Sequence, residues 1–283
     1  MAKYSISDLA QTEVDGKVHR AVWRKVPTQT TASGFWFDLS LSPGIPKPQY
    51  YIGAELTATQ LTRSNNGSIN HGQNVSTSTK YLRQLSAMAT VATPLPLRLI
   101  LEDNLLFYPL VDESLDAGVQ PMDNTLTLPR YADGVGVQIK AVVTNPHATG
   151  GTSFSFSCSY TNSSGVSGRT TRSVTLSTQF VAGTVISSSP AQLNSSGPYL
   201  PLQSGDIGVR SIESVTMTGS EVGLMTLVLC KPIAEGEIQT INAPFFVDYM
   251  IDELDAPIIY DDACLNWLCL PRGTLAANNL FGT

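Results

Sequence analysis

The sequence predicts an all-β protein: an antiparallel β-sandwich, jelly-roll-like in topology, with one short helix and extended N- and C-terminal arms. Three observations lead there. Apolar and small polar residues alternate with period two, most regularly over residues 152–160, where Phe154, Phe156, Cys158 and Tyr160 interleave with Ser153, Ser155, Ser157 and Ser159. Clusters of Gly, Pro, Asn and Ser separate such segments at intervals of roughly eight to twelve residues, the spacing of a sandwich. Helical spacing is confined to residues 79–92, with Leu82, Leu85 and Ala89 on one face and Ser and Thr before it as caps.

Residues 1–34 lack a sustained period, apart from a short alternation at Val18, Arg20, Val22 and Arg24, and read as an N-terminal arm or leading strand. A sandwich domain then spans residues 35–232. Its first strand puts Phe35, Phe37, Leu39 and Leu41 on one face and Trp36 on the other, and Pro43, Pro46 and Pro48 impose an extended loop after it. Residues 62–79 form a long polar loop, and the helix over 79–92 stops before Pro94 and Pro96. Strands follow at 97–101 and 125–128, with the apolar run 105–110 between them. Val137, Ile139, Ala141 and Val143, then residues 152–160, then Val174, Leu176 and Phe180 read as two hairpins joined in a meander. Residues 187–198 are a Ser, Pro and Asn loop. Strands return at 209–217 and 223–230, the latter apolar on both faces and so expected to be central. From residue 233 to 283 apolar residues come in short irregular pieces broken by Asp252, Glu253 and Asp255, the pattern of a docking tail.

Composition narrows the function. Of the 283 residues only 14% are charged, against about 25% in an average globular protein. The resulting neutral, hydrogen-bonding surface suits packing against other proteins better than steering a charged ligand. A net charge of −6 argues against nucleic-acid binding. Neither a secretory leader nor an apolar run of ~18 residues is present, so a soluble chain made in the cytoplasm and away from membranes is expected. The sequons at Asn66, Asn74, Asn162 and Asn194 are then polar turns. Cys158 and Cys230 lie on apolar strand faces, and Cys264 and Cys269 have no Cys or His nearby to complete a zinc set.

No catalytic constellation emerges. His19, His71 and His147 are scattered, Gly165-Val166-Ser167-Gly168 lacks the glycine spacing of a nucleophile elbow, and Gly134-Val135-Gly136 precedes a strand instead of opening a helix. Acidic residues at Asp248, Asp261 and Asp262 match no calcium loop. No catalytic, metal or cofactor residue is assigned, and the chain is expected not to be an enzyme. The candidates are contact residues: Trp36, Tyr50 and Tyr51 beside the proline-rich loop, and Phe245, Phe246, Tyr249, Tyr260 and Trp267 in the tail.

Three runs carry a resemblance: Leu105-Leu106-Phe107-Tyr108-Pro109-Leu110-Val111-Asp112, Met122-Asp123-Asn124-Thr125-Leu126-Thr127-Leu128-Pro129-Arg130-Tyr131, and Leu200-Pro201-Leu202-Gln203-Ser204-Gly205-Asp206-Ile207-Gly208-Val209-Arg210. Over residues 95–230 the chain resembles virion structural proteins of tailed bacteriophages. The resemblance implies a capsid cement or decoration protein, a minor head protein or a tail part, assembled in the host cytoplasm and carried in the virion. No long charged spine helix of the kind in major capsid proteins is found. The implied partner is therefore the major capsid protein of the shell, bound by a symmetric homo-oligomer such as a trimer. The alternative is a tail-associated carbohydrate-binding adhesin or glycan-degrading protein, for which Trp36 and the acidic tail would matter.

Overall fold

Two long strands run through the whole molecule, at Leu97–Asp112 and Leu224–Ile238. The computed structural model describes residues 5–31, 33–146, 154–176, 181–186, 197–219, 222–251, 256–276 and 278–283. In chain order the elements are α1 (Ile6–Val14), β1 (Trp23–Lys25), β2 (Phe37–Asp38), a 3-10 turn (Leu39–Leu41), β3 (Gly44–Ile45), β4 (Thr59–Gln60), β5 (Lys80–Tyr81), β6 (Gln84–Ala89), β7 (Leu97–Asp112) and β8 (Val119–Pro121). They continue with β9 (Gln138–Asn145), β10 (Phe154–Asn162), β11 (Arg169–Thr170), β12 (Val174–Leu176), β13 (Val209–Thr218), β14 (Leu224–Ile238), β15 (Phe245–Asp248), β16 (Ile258–Ile259), β17 (Leu265–Leu270) and β18 (Leu280–Gly282).

The central sheet has the order β2-β17-β7-β14-β9, with β4 also on β7. A second sheet runs β15-β6-β18-β1-β3, and a third runs β11-β10-β13-β8 with β12 also on β10. β7 and β14 pair from Leu97↔Ile238 to Asp112↔Leu224, shifting register at three bulges. Because side chains alternate faces, each half of this pair meets a different small sheet. Leu105, Tyr108, Ile139 and Leu227 pack with Phe154, Phe156, Tyr160, Ile212 and Val215 of the third sheet. Leu97, Leu99, Leu101 and Trp267 pack with Trp23, Leu85, Ala87 and Leu280 of the second. Each large apolar side chain so buried contributes about 1.5–3 kcal/mol. Smaller clusters, around Tyr51, Phe107, Val142 and Val228 and around Trp36, Ile100 and Leu268, occupy other positions along the central strands.

The all-β, antiparallel class is therefore as expected, and so are the strands at β10 and β13, while the strands expected at 97–101 and 223–230 are parts of the longer β7 and β14, which run on through 105–110 and to Ile238. Several local readings are corrected. Residues 79–92 are not a helix. They form β5 and β6, in which Leu85, Ala87 and Ala89 point inward with period two. Backbone pairing with β15 and β18 decides the conformation there, overriding the helix propensity of Leu, Ala and Met.

Among the described residues the one α-helix is α1, inside the segment read as irregular. The Ser5 hydroxyl accepts from the Asp8 amide while the Asp8 carboxylate accepts from the Ser5 amide, a capping box that the Ser-x-x-Asp spacing encodes. The expected first strand shrinks to β2, because Asp38 turns its side chain back onto the Ser40 amide and caps the 3-10 turn. Residues 125–128 form no strand. The meander is also revised: β9 pairs with β14, while β10 pairs with β11, β12 and β13. Of the two expected hairpins the second stands, β10 pairing antiparallel with β12, and the first fails, since β9 and β10 belong to different sheets. The expected docking tail contributes β15 to β18, and β17 lies between β2 and β7. The polar stretch 62–79 stays a loop, pinned where buried His71 meets the Ala263 carbonyl at 2.9 Å. His147, Phe180, Asp252, Glu253, Asp255 and most of the loop at 187–198 lie outside the described residues.

Candidate functional site

The eight expected contact residues divide by burial. Tyr50 and Phe246 are 58% exposed and Tyr260 41%. Tyr50 sits in the loop after β3, Phe246 on the edge strand β15, and Tyr260 before β17 in edge-to-face contact with Tyr131 at 4.9 Å. Around them Ile45, Ile52, Ile251 and Ile258 are also exposed. Phe245 is half-buried: its ring covers the bare backbone of Gly236 in β14, where any β-carbon would collide with it.

Trp36, Tyr51, Tyr249 and Trp267 are buried, which corrects their reading as contact residues. Trp267 stacks at a tilt on Trp23, with ring centroids 5.2 Å apart, because β17 and β1 belong to sheets that face each other across the second core. Tyr51 reaches inward to donate to Asp38. Large aromatic area near a proline-rich loop or a chain end does not distinguish an anchor for a partner from an anchor for the fold.

A cavity of about 210 Å³ opens beside the Trp23–Trp267 pair, walled by Leu85, Leu101, Ile259 and Leu265 and rimmed by His19, Arg83 and Lys80. The indole nitrogens of Trp23 and Trp267 are buried and have no hydrogen-bond partner among the described residues. Glu13 at the end of α1 bridges to Arg83 at 2.8 Å and Arg20 at 3.2 Å across the rim.

The densest chemistry lies inside. Lys140, on β9 between Ile139 and Ala141, is wholly buried and its Nζ lies 3.0 Å from Asp38 Oδ2 and 2.5 Å from Glu102 Oε2. Asp38 Oδ1 accepts from the Ser40 amide at 2.8 Å and from Asn266 Nδ2 at 2.9 Å. Its Oδ2 accepts from the Tyr51 hydroxyl at 2.7 Å. Glu102 Oε1 accepts from the Tyr199 hydroxyl at 2.7 Å and the Cys230 thiol at 3.4 Å. Burial alone disfavours the Lys140 ammonium, but Asp38 and Glu102 beside it hold its pKa well above the ordinary lysine value. Burial likewise works against the Asp38 carboxylate, and Lys140, Ser40 and Tyr51 reverse this and hold its pKa low.

A second buried pair braces the loop before β17: Arg130 grips Asp103 with two bonds of 2.8 and 2.7 Å and also donates to the Leu61 and Asn104 carbonyls. The sequence reading assigned none of Asp38, Glu102, Asp103 or Lys140 to a site. A signal was present, since charged residues are rarely fully buried unless paired and these interrupt apolar strands. Their partners, however, come from segments far apart in the chain. Among the described residues no cluster of His, Cys, Asp and Glu has the arrangement of a metal site. No helix there is long and apolar enough to cross a membrane. No family model, curated protein or solved structure matches the chain.

Proposed function

We propose that this chain is a non-enzymatic virion structural protein that binds and reinforces a tailed-phage capsid shell, as a cement, decoration or minor capsid protein. The observation that carries the reading is a doubly cored β scaffold displaying isolated apolar side chains, Tyr50, Ile52, Phe246, Ile251 and Tyr260, on a surface poor in charge. Such a scaffold presents many weak contacts at once, and a symmetric oligomer on a symmetric lattice multiplies them. Its partner is the major capsid protein of the shell. The exposed α1, where Val14 is 80% exposed, is suited to serve as a reaching arm. A jelly-roll-like connectivity and a homo-oligomeric state, such as a trimer, belong to the same proposal.

The carbohydrate-binding or glycan-degrading alternative has less support. All three tryptophans, Trp23, Trp36 and Trp267, are buried, so none offers an open face on which a sugar could stack. The test uses empty shells lacking this protein. Added protein is expected to co-sediment with them and raise their heat resistance. Shells that neither bind it nor gain resistance, together with saturable binding on a glycan array, would overturn the proposal in favour of the adhesin.

A further inference from the structure

We propose that Lys140 and Asp38 are joined by an intramolecular isopeptide bond, formed spontaneously in the folded chain with Glu102 as the proton shuttle. The geometry contains each part such a condensation needs. The nucleophile, Lys140 Nζ, stands 3.0 Å from Asp38 Oδ2, and the Glu102 carboxylate is 2.5 Å from the same nitrogen. All three side chains are without solvent exposure. Asp38 Oδ1, the oxygen that stays, is already held by two donors, the Ser40 amide and Asn266 Nδ2. Those donors lie where negative charge develops in a tetrahedral intermediate. Asp38 Oδ2, the oxygen that leaves, accepts from the Tyr51 hydroxyl.

The step balances from the ion pair itself. Glu102 takes one proton from the Lys140 ammonium and passes it to Asp38 Oδ2, leaving a neutral amine beside a neutral acid. The amine adds to Asp38 Cγ, forming the N–C bond, and a second proton from the nitrogen follows to Oδ2 by the same route. The Cγ–Oδ2 bond then breaks and Oδ2 departs as water. Glu102 ends as it began, and nothing is oxidised or reduced. General acid–base transfer of this kind needs a carboxylate within hydrogen-bond reach of the proton it moves, which Glu102 has. The enclosure also supplies a driving force. Two buried charges become one neutral amide, which removes the penalty of holding Lys140 and Asp38 out of water, while Glu102, left without its counter-ion, keeps the Tyr199 hydroxyl and the Cys230 thiol as donors.

Why this lysine and this aspartate are brought together follows from the topology. Asp38 is on β2 and Lys140 on β9, the two ends of the central strand order, and residues 183–185 bridge them, Phe37 pairing with Thr184 and Val142 with Val185. The bond would add a covalent tie where this segment already joins the two strands.

The test is the intact mass of the denatured full-length protein, which needs no variant to fold. The expected result is a mass lower by one water than the sequence requires, with a proteolytic digest yielding a branched peptide that joins the segments containing Asp38 and Lys140. Lys140→Arg and Asp38→Ala should restore the full mass. Glu102→Gln should leave most molecules unlinked, and Asp38→Asn should lose ammonia in place of water. A wild-type mass with no water missing after prolonged incubation overturns the proposal. So does a missing water whose branched peptide maps to any other pair, Lys140 with Glu102 included.

Discussion

Replacing Arg130 with methionine tests whether the buried charges of this fold act as described. Arg130 and Asp103 have side chains only 2% and 0% exposed. The change removes both bonds to Asp103, those to the Leu61 and Asn104 carbonyls, and a 3.1 Å contact with Asp262. Asp103 keeps the Cys264 amide at 2.8 Å but loses its buried counter-charge. Breaking a buried pair from one side costs about 3–5 kcal/mol, a large share of the roughly 5–15 kcal/mol that holds a typical protein folded. At about 2–4 °C per kcal/mol the melting temperature should fall by on the order of 10 °C.

The penalty also has a pH signature. Burial already holds the Asp103 pKa above its ordinary value against the pull of Arg130, and removing Arg130 raises it further, so the destabilisation is full above that raised pKa and shrinks as acid neutralises the group. Guanidinium unfolding followed by tryptophan fluorescence measures the effect. Arg98→Ala is the control, since Arg98 and Glu235 are 48% and 58% exposed and such pairs contribute about 0–1 kcal/mol. The Arg130→Met/Asp103→Leu double variant should recover much of the loss, because apolar replacement of both partners is often near neutral. A single variant costing under about 1 kcal/mol, or a double variant no better than the single one, would refute the reasoning.

Three further outcomes are expected. Trp267→Ala, read from sequence as a surface change, should cost about 3–5 kcal/mol in the same unfolding assay because the ring fills the second core. Phe246→Ser should leave stability within about 0.5 kcal/mol yet weaken co-sedimentation with shells; unchanged binding would remove the β15 edge from the contact surface. Asp206 is held at about 2, below the ordinary 3.8, chiefly by the hydrogen bond from Arg169 and also by Tyr160 and Asn162. A depressed carboxyl stabilises fully above its unfolded pKa and loses that contribution as pH falls through its folded one. Thermal melts should therefore show the wild type losing more stability than Asp206→Asn between about pH 4 and 2.

The strands that could be read from sequence were those whose burial pattern is self-contained. In β10 every inward Phe, Cys or Tyr is followed by an outward Ser or Thr, so the period appears without knowledge of the neighbours. β14 was readable as central because both of its faces are apolar. In β6 the inward residues after Leu85 are alanines, whose small side chains carry little strand signal, and pairing with β15 and β18 decides the matter. β9 and β10 do not form the expected hairpin, because adjacency in sequence does not fix pairing: β9 finds its partner in β14, much further along.

The contact residues show the same limit. Tyr50 and Phe246 are exposed as expected, but the burial of Trp267 follows from the insertion of β17 between β2 and β7, which nothing near Trp267 encodes. The Lys140 centre joins side chains from strands that only the folded sheet brings together.

The continuous pairing of β7 with β14 has one more consequence. Each strand supplies side chains to both large hydrophobic clusters, so neither cluster can open without tearing hydrogen bonds from a strand that the other still holds. Two cores on separate strand pairs would open as separate foldons, each with its own stability. Here the shared pair couples them, so that local damage at either end is resisted by the whole length of the molecule.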